Sequence, residues 1–137
     1  SNGLENSFMC PLLELNLENS ILNDRVLSSI LINCKFLKKL NIRNCKNLSD
    51  RLFMNNEISS PLEELNLSLI ETFTDLTLDS LMLKQLILST TLKSIYLNGC
   101  NNFSQAKLNI FLKQSNLRYI EMRNLTSIDD SFIESFI

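Results

Sequence analysis

The segment CKFLKKLNIRNCKNLSD, residues 34–50, holds the most complete copy of a pattern that recurs along the chain. Within it Leu40 and Ile42 alternate with polar residues, as expected of a short strand with one buried face. The strand is followed by Cys45 and then by Ser49-Asp50, a polar pair that favours the start of a helix. The segment therefore predicts one strand, one turn and one helix.

The same leucine pattern appears five times in the chain. Its copies start at Leu12, Leu37, Leu62, Leu92 and Leu117, so the spacings are 25, 25, 30 and 25 residues. The helix starts are predicted at Asn23, Ser49, Thr74, Ser104 and Asp129. We expect a single domain over residues 1–137, with residues 1–11 forming the tail of a preceding repeat or an N-terminal cap. In the longer third repeat we expect a helix from Asp75 to about Leu88, or else a convex loop.

A strand–helix unit of this size cannot bury its apolar face alone, so neighbouring units are expected to stack. The inward residues of the five strands are Leu15 and Leu17, Leu40 and Ile42, Leu65 and Leu67, Ile95 and Leu97, and Ile120 and Met122. The predicted fold is α/β, a right-handed β-α superhelix or solenoid. Its parallel sheet forms the concave face and its helices form the convex face.

The motif C-x-x-L-x-x-L-x-L-x-x-C is met in full by Cys34, Leu37, Leu40, Ile42 and Cys45. On this motif the chain resembles leucine-rich repeat proteins of the cysteine-containing subtype. These include F-box substrate receptors of ubiquitin ligases and relatives that lack an F-box. The resemblance implies a protein-recognition surface, in a substrate-recognition or adaptor role. The alternatives are a scaffold or regulatory subunit of a phosphatase, GTPase or cytoskeletal complex, or a small-ligand receptor.

Composition argues against several other functions. The net charge of −2 offers no general attraction to nucleic acid or to an anionic membrane, and apolar runs are far shorter than a membrane span. The chain contains no histidine and no phosphate-binding glycine loop, so we expect neither an enzyme nor a bound cofactor or metal.

The four cysteines have several possible roles. A strand separates Cys34 from Cys45, and Ile70 lies between the positions of Cys45 and Cys100, so neither pair is expected to bridge. Cys10 and Cys34 form the one pair within plausible reach. Our main expectation is that the cysteines are small buried residues with weak S–H donors, free in a reducing compartment, the cytoplasm or nucleus.

The outward strand residues form the candidate binding surface. They lie in three rows: Glu14, Lys39, Glu64, Ser94 and Tyr119; Asn16, Asn41, Asn66, Tyr96 and Glu121; Glu18, Arg43, Ser68, Asn98 and Arg123. Opposite charges alternate in the first repeats, and the three asparagines suggest an amide ladder. Both features also suit a purely structural, solvated sheet.

The C-terminal part of this face carries both tyrosines of the chain. Aromatic residues and arginine are enriched at the centres of protein interfaces. The predicted partner-binding residues are Tyr96, Tyr119, Arg123, Glu121, Asn98, Arg43 and Lys39. We expect a protein partner, and a monomer or weak self-association through uncapped ends of the array.

Overall fold

Short parallel strands alternate with helices in the computed structural model, which describes residues 9–83 and 91–135. The strands are β1 (Glu14–Asn16), β2 (Lys39–Asn41), β3 (Glu64–Asn66), β4 (Ser94–Tyr96) and β5 (Tyr119–Glu121). The α-helices are α1 (Asp24–Asn33), α2 (Asp75–Leu83), α3 (Gln105–Gln114) and α4 (Asp130–Glu134). A 3-10 helix (Leu52–Met54) lies between β2 and β3.

All five strands belong to one parallel sheet in the order β1-β2-β3-β4-β5. Their register pairs the inward residues Leu15, Leu40, Leu65, Ile95 and Ile120 in one row. The three central members are almost fully buried, whereas those of the two edge strands are partly buried. The predicted leucine-rich repeat solenoid, with its sheet on the concave face and its helices on the convex face, is confirmed.

Polar side chains cap the four described α-helices at the positions predicted for them, and at α2 the Thr74 hydroxyl accepts the N–H of Leu76 at 3.2 Å. Asn23 and Ser104 accept hydrogen bonds from backbone N–H groups in the first turns of α1 and α3. Asp129 does the same for α4. The hydrogen bond from the Ser131 hydroxyl, followed by that from the backbone N–H of Phe132, lowers the pKa of its carboxyl. The caps fix where each chain segment leaves the sheet and turns back along the convex face.

The second repeat departs from the prediction, because the helix expected after Ser49 is only the 3-10 helix Leu52–Met54. The side-chain oxygen of Asn55 accepts the N–H of Glu57 at 2.9 Å. This local bond gives the backbone an alternative to continuing the helix, and Asn55 itself is extended. The prediction of a helix in every repeat was therefore wrong for the second repeat, which has only this three-residue 3-10 helix.

Three aspartates at the starts of convex segments accept hydrogen bonds from the polar residue at the start of the convex segment in the next repeat. Asp24 accepts from the backbone N–H and the hydroxyl of Ser49 at 2.8 and 2.5 Å. Asp50 accepts in the same way from Thr74, and also from the hydroxyl of Thr77 at 2.6 Å. The corresponding bonds of Asp75 go to Ser104. These carboxylates hold successive repeats in register on the convex side of the sheet.

Cys45 and Cys100 lie in the turns that follow β2 and β4. Both residues are buried, and their S–H groups donate to backbone carbonyls of the preceding repeat, Leu17 at 3.0 Å and Leu67 at 3.1 Å. Burial raises the pKa of both thiols, to about 11 for Cys100. The expectation of small buried residues with weak donors describes these two cysteines well.

Some expectations fall on residues that the structure does not describe. The helix expected from Asp75 to about Leu88 is helical as far as Leu83, and the remainder lies outside the described residues. Most of the expected cap over residues 1–11 also lies outside them. No helix within residues 9–83 and 91–135 has the length and apolar character needed to cross a membrane.

Candidate functional site

The outward strand residues of the first two repeats are paired with each other by charge. The ammonium of Lys39 lies 3.3 Å from the carboxylate of Glu14, and the guanidinium of Arg43 lies 3.5 Å from Glu18. The hydrogen bond and the charge of Glu14, with a contribution from Glu64, raise the pKa of Lys39. Lys39 and Arg43 are therefore largely neutralised within the molecule, and exposed pairs of this kind contribute little to stability.

The last two strands carry an aromatic pair instead. The rings of Tyr96 on β4 and Tyr119 on β5 have centroids 5.5 Å apart and are tilted by 50°. This separation lies in the range of favourable aromatic contacts. Tyr119 is 47% exposed, so the pair presents part of its aromatic surface to solvent. The diagonal placement follows from the parallel register, in which Tyr96 lies opposite Glu121.

Glu121 links the polar residues beside this pair. Its carboxylate accepts a hydrogen bond from the side-chain amide of Asn98 at 3.0 Å and forms an ion pair with the guanidinium of Arg123 at 2.9 Å. The Tyr119 hydroxyl lies 3.5 Å from the same carboxylate. The Asn98 amide oxygen accepts the backbone N–H of Arg123 at 2.7 Å. We call these five residues, Tyr96, Tyr119, Asn98, Glu121 and Arg123, the tyrosine patch.

Exposure within the tyrosine patch is uneven. The Glu121 side chain is 17% exposed, whereas that of Arg123 is 75% exposed. Burial raises the pKa of Tyr96, with further contributions from nearby Glu64, Tyr119 and Glu121. The Tyr96 hydroxyl therefore stays protonated at neutral pH and remains a hydrogen-bond donor. The partly buried Glu121 carboxylate contacts both Arg123 and the Tyr119 hydroxyl. These contacts restrict the two side chains before binding, which reduces the conformational entropy lost when a partner binds.

A shallow groove of about 410 Å³ runs from the tyrosine patch toward the first strand. Its lining residues are Glu14, Leu15, Asn16, Lys39, Leu40, Asn41, Glu64, Asn66 and Tyr96. Glu64 and Asn66 line this groove. Their positions in the outward rows were visible in the sequence, but the shape of the groove required the structure. Lys39 and Tyr96 lie at this groove, whereas Arg43 lies away from it.

Two details of the outward rows differ from expectation. Ser68 is buried rather than exposed, and its hydroxyl accepts the backbone N–H of Asn98 at 3.1 Å. The amide oxygens of Asn16, Asn41 and Asn66 each accept the backbone N–H two residues later in the same chain segment, at 3.0 Å. These oxygens therefore close the turns after the strands, rather than serving as acceptors in the suggested ladder.

The described residues also define the chemical limits of the site. Among them there is no cluster of three or more histidine, cysteine or acidic side chains that could hold a metal ion. A second depression, of about 300 Å³, lies beside β5, the last strand of the described sheet. It is lined by Leu112, Ser115, Leu117, Arg118, Tyr119, Ile120, Met122 and Ile133. The predicted self-association through array ends would involve this edge and remains a prediction.

Comparison with known proteins gives a fold but no sequence family. No protein-family model and no curated protein matches the sequence. The structure is similar to a chain in the crystal structure of the Rad7 and Elc1 complex in yeast, with a TM-score of 0.55 and 18% sequence identity. The match covers 82% of this chain but only 36% of the other chain. This similarity and the all-parallel sheet fit a leucine-rich repeat domain.

Proposed function

We propose that this leucine-rich repeat chain is a non-catalytic protein-recognition module, and that its tyrosine patch is the centre of the surface that binds a partner protein. The observation that carries the proposal is the contact between Tyr96 and Tyr119, with ring centroids 5.5 Å apart on the outward face of the sheet. Tyrosine and arginine dominate the residues whose truncation costs most binding energy at interfaces. Lys39 and Arg43 would contribute at the rim.

Preorganisation supports the choice of this patch over the rest of the sheet. The hydrogen bonds of Glu121 and Asn98 already fix the backbone and the guanidinium of Arg123. A partner that binds here loses less side-chain entropy than one that binds mobile surface residues. The first two repeats contain ion pairs of the same kind, Lys39 with Glu14 and Arg43 with Glu18, but their outward strand residues include no aromatic side chain.

The finer proposal is a substrate-recognition or adaptor role in a complex of the ubiquitin-ligase type. It is supported by the motif from Cys34 to Cys45, which resembles the repeats of F-box substrate receptors. It is also supported by the similar fold of a chain crystallised in the Rad7 and Elc1 complex. The alternative is a scaffold or regulatory subunit of a phosphatase, GTPase or cytoskeletal complex. In either role we place the protein in the cytoplasm or nucleus, because its four cysteines are free.

The test compares three tagged proteins in affinity capture from native lysate. These are the wild type, the double variant Tyr96→Ala/Tyr119→Ala, and a control double variant Leu76→Ala/Ile110→Ala, which removes two exposed residues of the helices. Thermal melts first establish that all three are folded. Proteins lost with the tyrosine variant and retained by the control are then purified and titrated against the wild type.

The expected result is that the tyrosine variant binds the purified partner about tenfold or more weakly, as for truncated interface hot spots. Unchanged affinity would contradict the proposal. The identity of the partner separates the two roles: components of a ubiquitin ligase support the first, and a phosphatase, GTPase or cytoskeletal assembly supports the second.

A further inference from the structure

Two of the four cysteines face each other at the N-terminal end of the array. The S–H group of Cys34 donates to the sulfur of Cys10, and the two sulfurs lie 2.9 Å apart. Both are free thiols in the structure. A disulfide bond is about 2.05 Å long, so the sulfurs need to approach by less than about 1 Å to become bonded. This distance sets the pair apart from Cys45 and Cys100, whose S–H groups donate to backbone carbonyls.

The backbone holds Cys34 firmly in this position. Its N–H donates to the carbonyl of Ile30 at the end of α1, at 2.9 Å. Its carbonyl accepts the hydroxyl of Ser60 at 2.8 Å, and Ser60 is itself fully buried. Cys10 is partly exposed and directly precedes Pro11, whose ring restricts the chain. One sulfur thus belongs to a buried, hydrogen-bonded residue, and the other belongs to a partly exposed residue.

We propose that Cys10 and Cys34 form an oxidisable dithiol, a modification site at which a small disulfide of the glutathione type introduces an intramolecular disulfide bond. The bond would join the segment before β1 to the end of α1, across 24 positions of the sequence. It would close a covalent loop around the first repeat. In a reducing compartment the pair rests as thiols and is oxidised when the ratio of oxidised to reduced glutathione rises.

The reaction proceeds by two thiol–disulfide exchanges. Cys10 loses its proton to solvent and attacks one sulfur of glutathione disulfide, so that a mixed disulfide forms on Cys10 and one glutathione thiolate leaves and is protonated. Cys34 then loses its proton and attacks the Cys10 sulfur, which forms the Cys10–Cys34 bond and releases the second glutathione. The protein dithiol is oxidised by two electrons, and one glutathione disulfide is reduced to two glutathione thiols.

The environment of each thiol explains this order. Burial, followed by the hydrogen bond and the proximity of Cys10, raises the pKa of Cys34 to about 12. Cys34 is therefore protonated and shielded at neutral pH, which leaves the partly exposed Cys10 to meet the oxidant first. Cys34 enters only after its neighbour has become an electrophilic mixed disulfide at contact distance.

The experiment uses the reduced full chain, incubated with glutathione disulfide and reduced glutathione at graded ratios. The reaction is quenched with acid, free thiols are alkylated after denaturation with N-ethylmaleimide, and the intact mass and tryptic peptides are measured. Trypsin places Cys10 in the peptide 1–25 and Cys34 in the peptide 26–35. The expected product has lost two hydrogen atoms, has two alkylated cysteines, and yields these two peptides joined by a disulfide.

Variants separate the two steps. Cys34→Ser is expected to stop at a glutathione adduct on Cys10, whereas Cys10→Ser is expected to lose both products. Cys45→Ser and Cys100→Ser are matched controls that should retain the Cys10–Cys34 bond. The proposal is overturned if the wild type stops at the glutathione adduct, if it stays fully reduced at every ratio, or if the joined peptides contain Cys45 or Cys100. These wild-type outcomes decide the question even if a variant fails to fold.

Discussion

Tyr96 and Tyr119 lie diagonally on the adjacent strands β4 and β5, with their ring centroids 5.5 Å apart. Tyr96 faces Glu121 in the strand register, and Tyr119 faces Ser94. A diagonal aromatic contact of this kind depends on the two strands keeping one register. It therefore connects the stacking of repeats to the surface that we propose for binding.

A double-mutant cycle tests whether the two rings stabilise each other. Tyr96→Ala, Tyr119→Ala and the double variant are unfolded in urea and compared with the wild type. We expect a coupling free energy of about 0.5 kcal/mol, the lower end for aromatic pairs, because one ring is half exposed. Additive effects of the two single substitutions would mean that the rings do not contact each other in solution.

The raised pKa of Tyr96 has a spectroscopic consequence. The chain contains two tyrosines and no tryptophan, so absorbance near 295 nm reports tyrosinate formation alone. Because burial and neighbouring acidic groups oppose ionisation, a component of the titration should appear above the ordinary tyrosine pKa. Tyr96→Phe should remove that component. If the high-pH component persists in this variant, it does not belong to Tyr96.

Asp50 is expected to make stability dependent on acid pH. Burial raises the pKa of its carboxyl, but hydrogen bonds from Thr74 and Thr77 outweigh burial, and the net shift is downward. A carboxyl with a lower pKa in the folded than in the unfolded chain stabilises the fold fully above the unfolded value, about 3.9. That contribution is lost as pH falls through the folded value.

Replacing Asp50 with asparagine tests this contribution. Asp50→Asn should lower the free energy of unfolding by about 2 kcal/mol at neutral pH, since charged hydrogen bonds are lost. It should also flatten the decline in stability that we expect of the wild type below pH 4. Asp79→Asn is the control, because Asp79 forms a surface pair with Lys107 at 2.7 Å, and such pairs contribute less than about 1 kcal/mol. Equal losses in both variants would contradict the assignment.

The turn after each strand contains one residue with a left-handed backbone. These residues are Asn19, Asn44, Leu69, Gly99 and Asn124, with φ of 64°, 60°, 62°, 70° and 58°. Asparagine and glycine tolerate this conformation, whereas leucine is strained there by about 1–2 kcal/mol. We therefore expect Leu69→Asn to raise the free energy of unfolding by about 0.5–1 kcal/mol, measured in urea. Asn44→Leu is the reciprocal control and should lower it.

Gly99 lies beside Leu69, which occupies the corresponding turn of the preceding repeat. A Cβ atom added at Gly99 would lie 2.7 Å from the Leu69 Cδ2 atom, which is too close for real contacts. Gly99→Ala should therefore lower stability by about 1–3 kcal/mol, and by less in a Leu69→Ala background, where the Cδ2 atom is absent. Identical losses in both backgrounds would show that the side chain of Leu69 is not the obstacle.

The strand register and the buried rows could be predicted from the sequence. The alternation of Leu40 and Ile42, repeated at a nearly constant spacing, allows only one inward face, and stacking then aligns each outward residue with its neighbours. This is also why the placement of Tyr96 and Tyr119 on one face could be predicted. Periodicity does not specify how far a side chain reaches, so the links from Glu121 to Asn98 and Arg123 required the structure.

Other features depended on competing local interactions. The 3-10 helix Leu52–Met54 replaces a longer helix because Asn55 bonds to the backbone of Glu57, an effect that a search for helix starts does not weigh. The other four left-handed turn residues are asparagine or glycine, which favour this conformation, whereas Leu69 is a leucine. Residue type therefore does not indicate a left-handed backbone at position 69. The sequence predicted Cys10 and Cys34 as the one pair within plausible reach, but the 2.9 Å contact of their sulfurs required the structure, because no strand pairing fixes the chain at Cys10.

We propose that partner proteins bind the sheet face at the tyrosine patch. The most direct test of this proposal places a photo-cross-linking amino acid, p-benzoylphenylalanine, at Tyr119 or, in a separate protein, at the exposed helix residue Ile110. Both proteins are expressed in cells, irradiated and purified under denaturing conditions. We expect a defined cross-linked partner protein from position 119 and none from position 110. The same partner cross-linked equally at both positions, or at position 110 alone, would contradict the proposal.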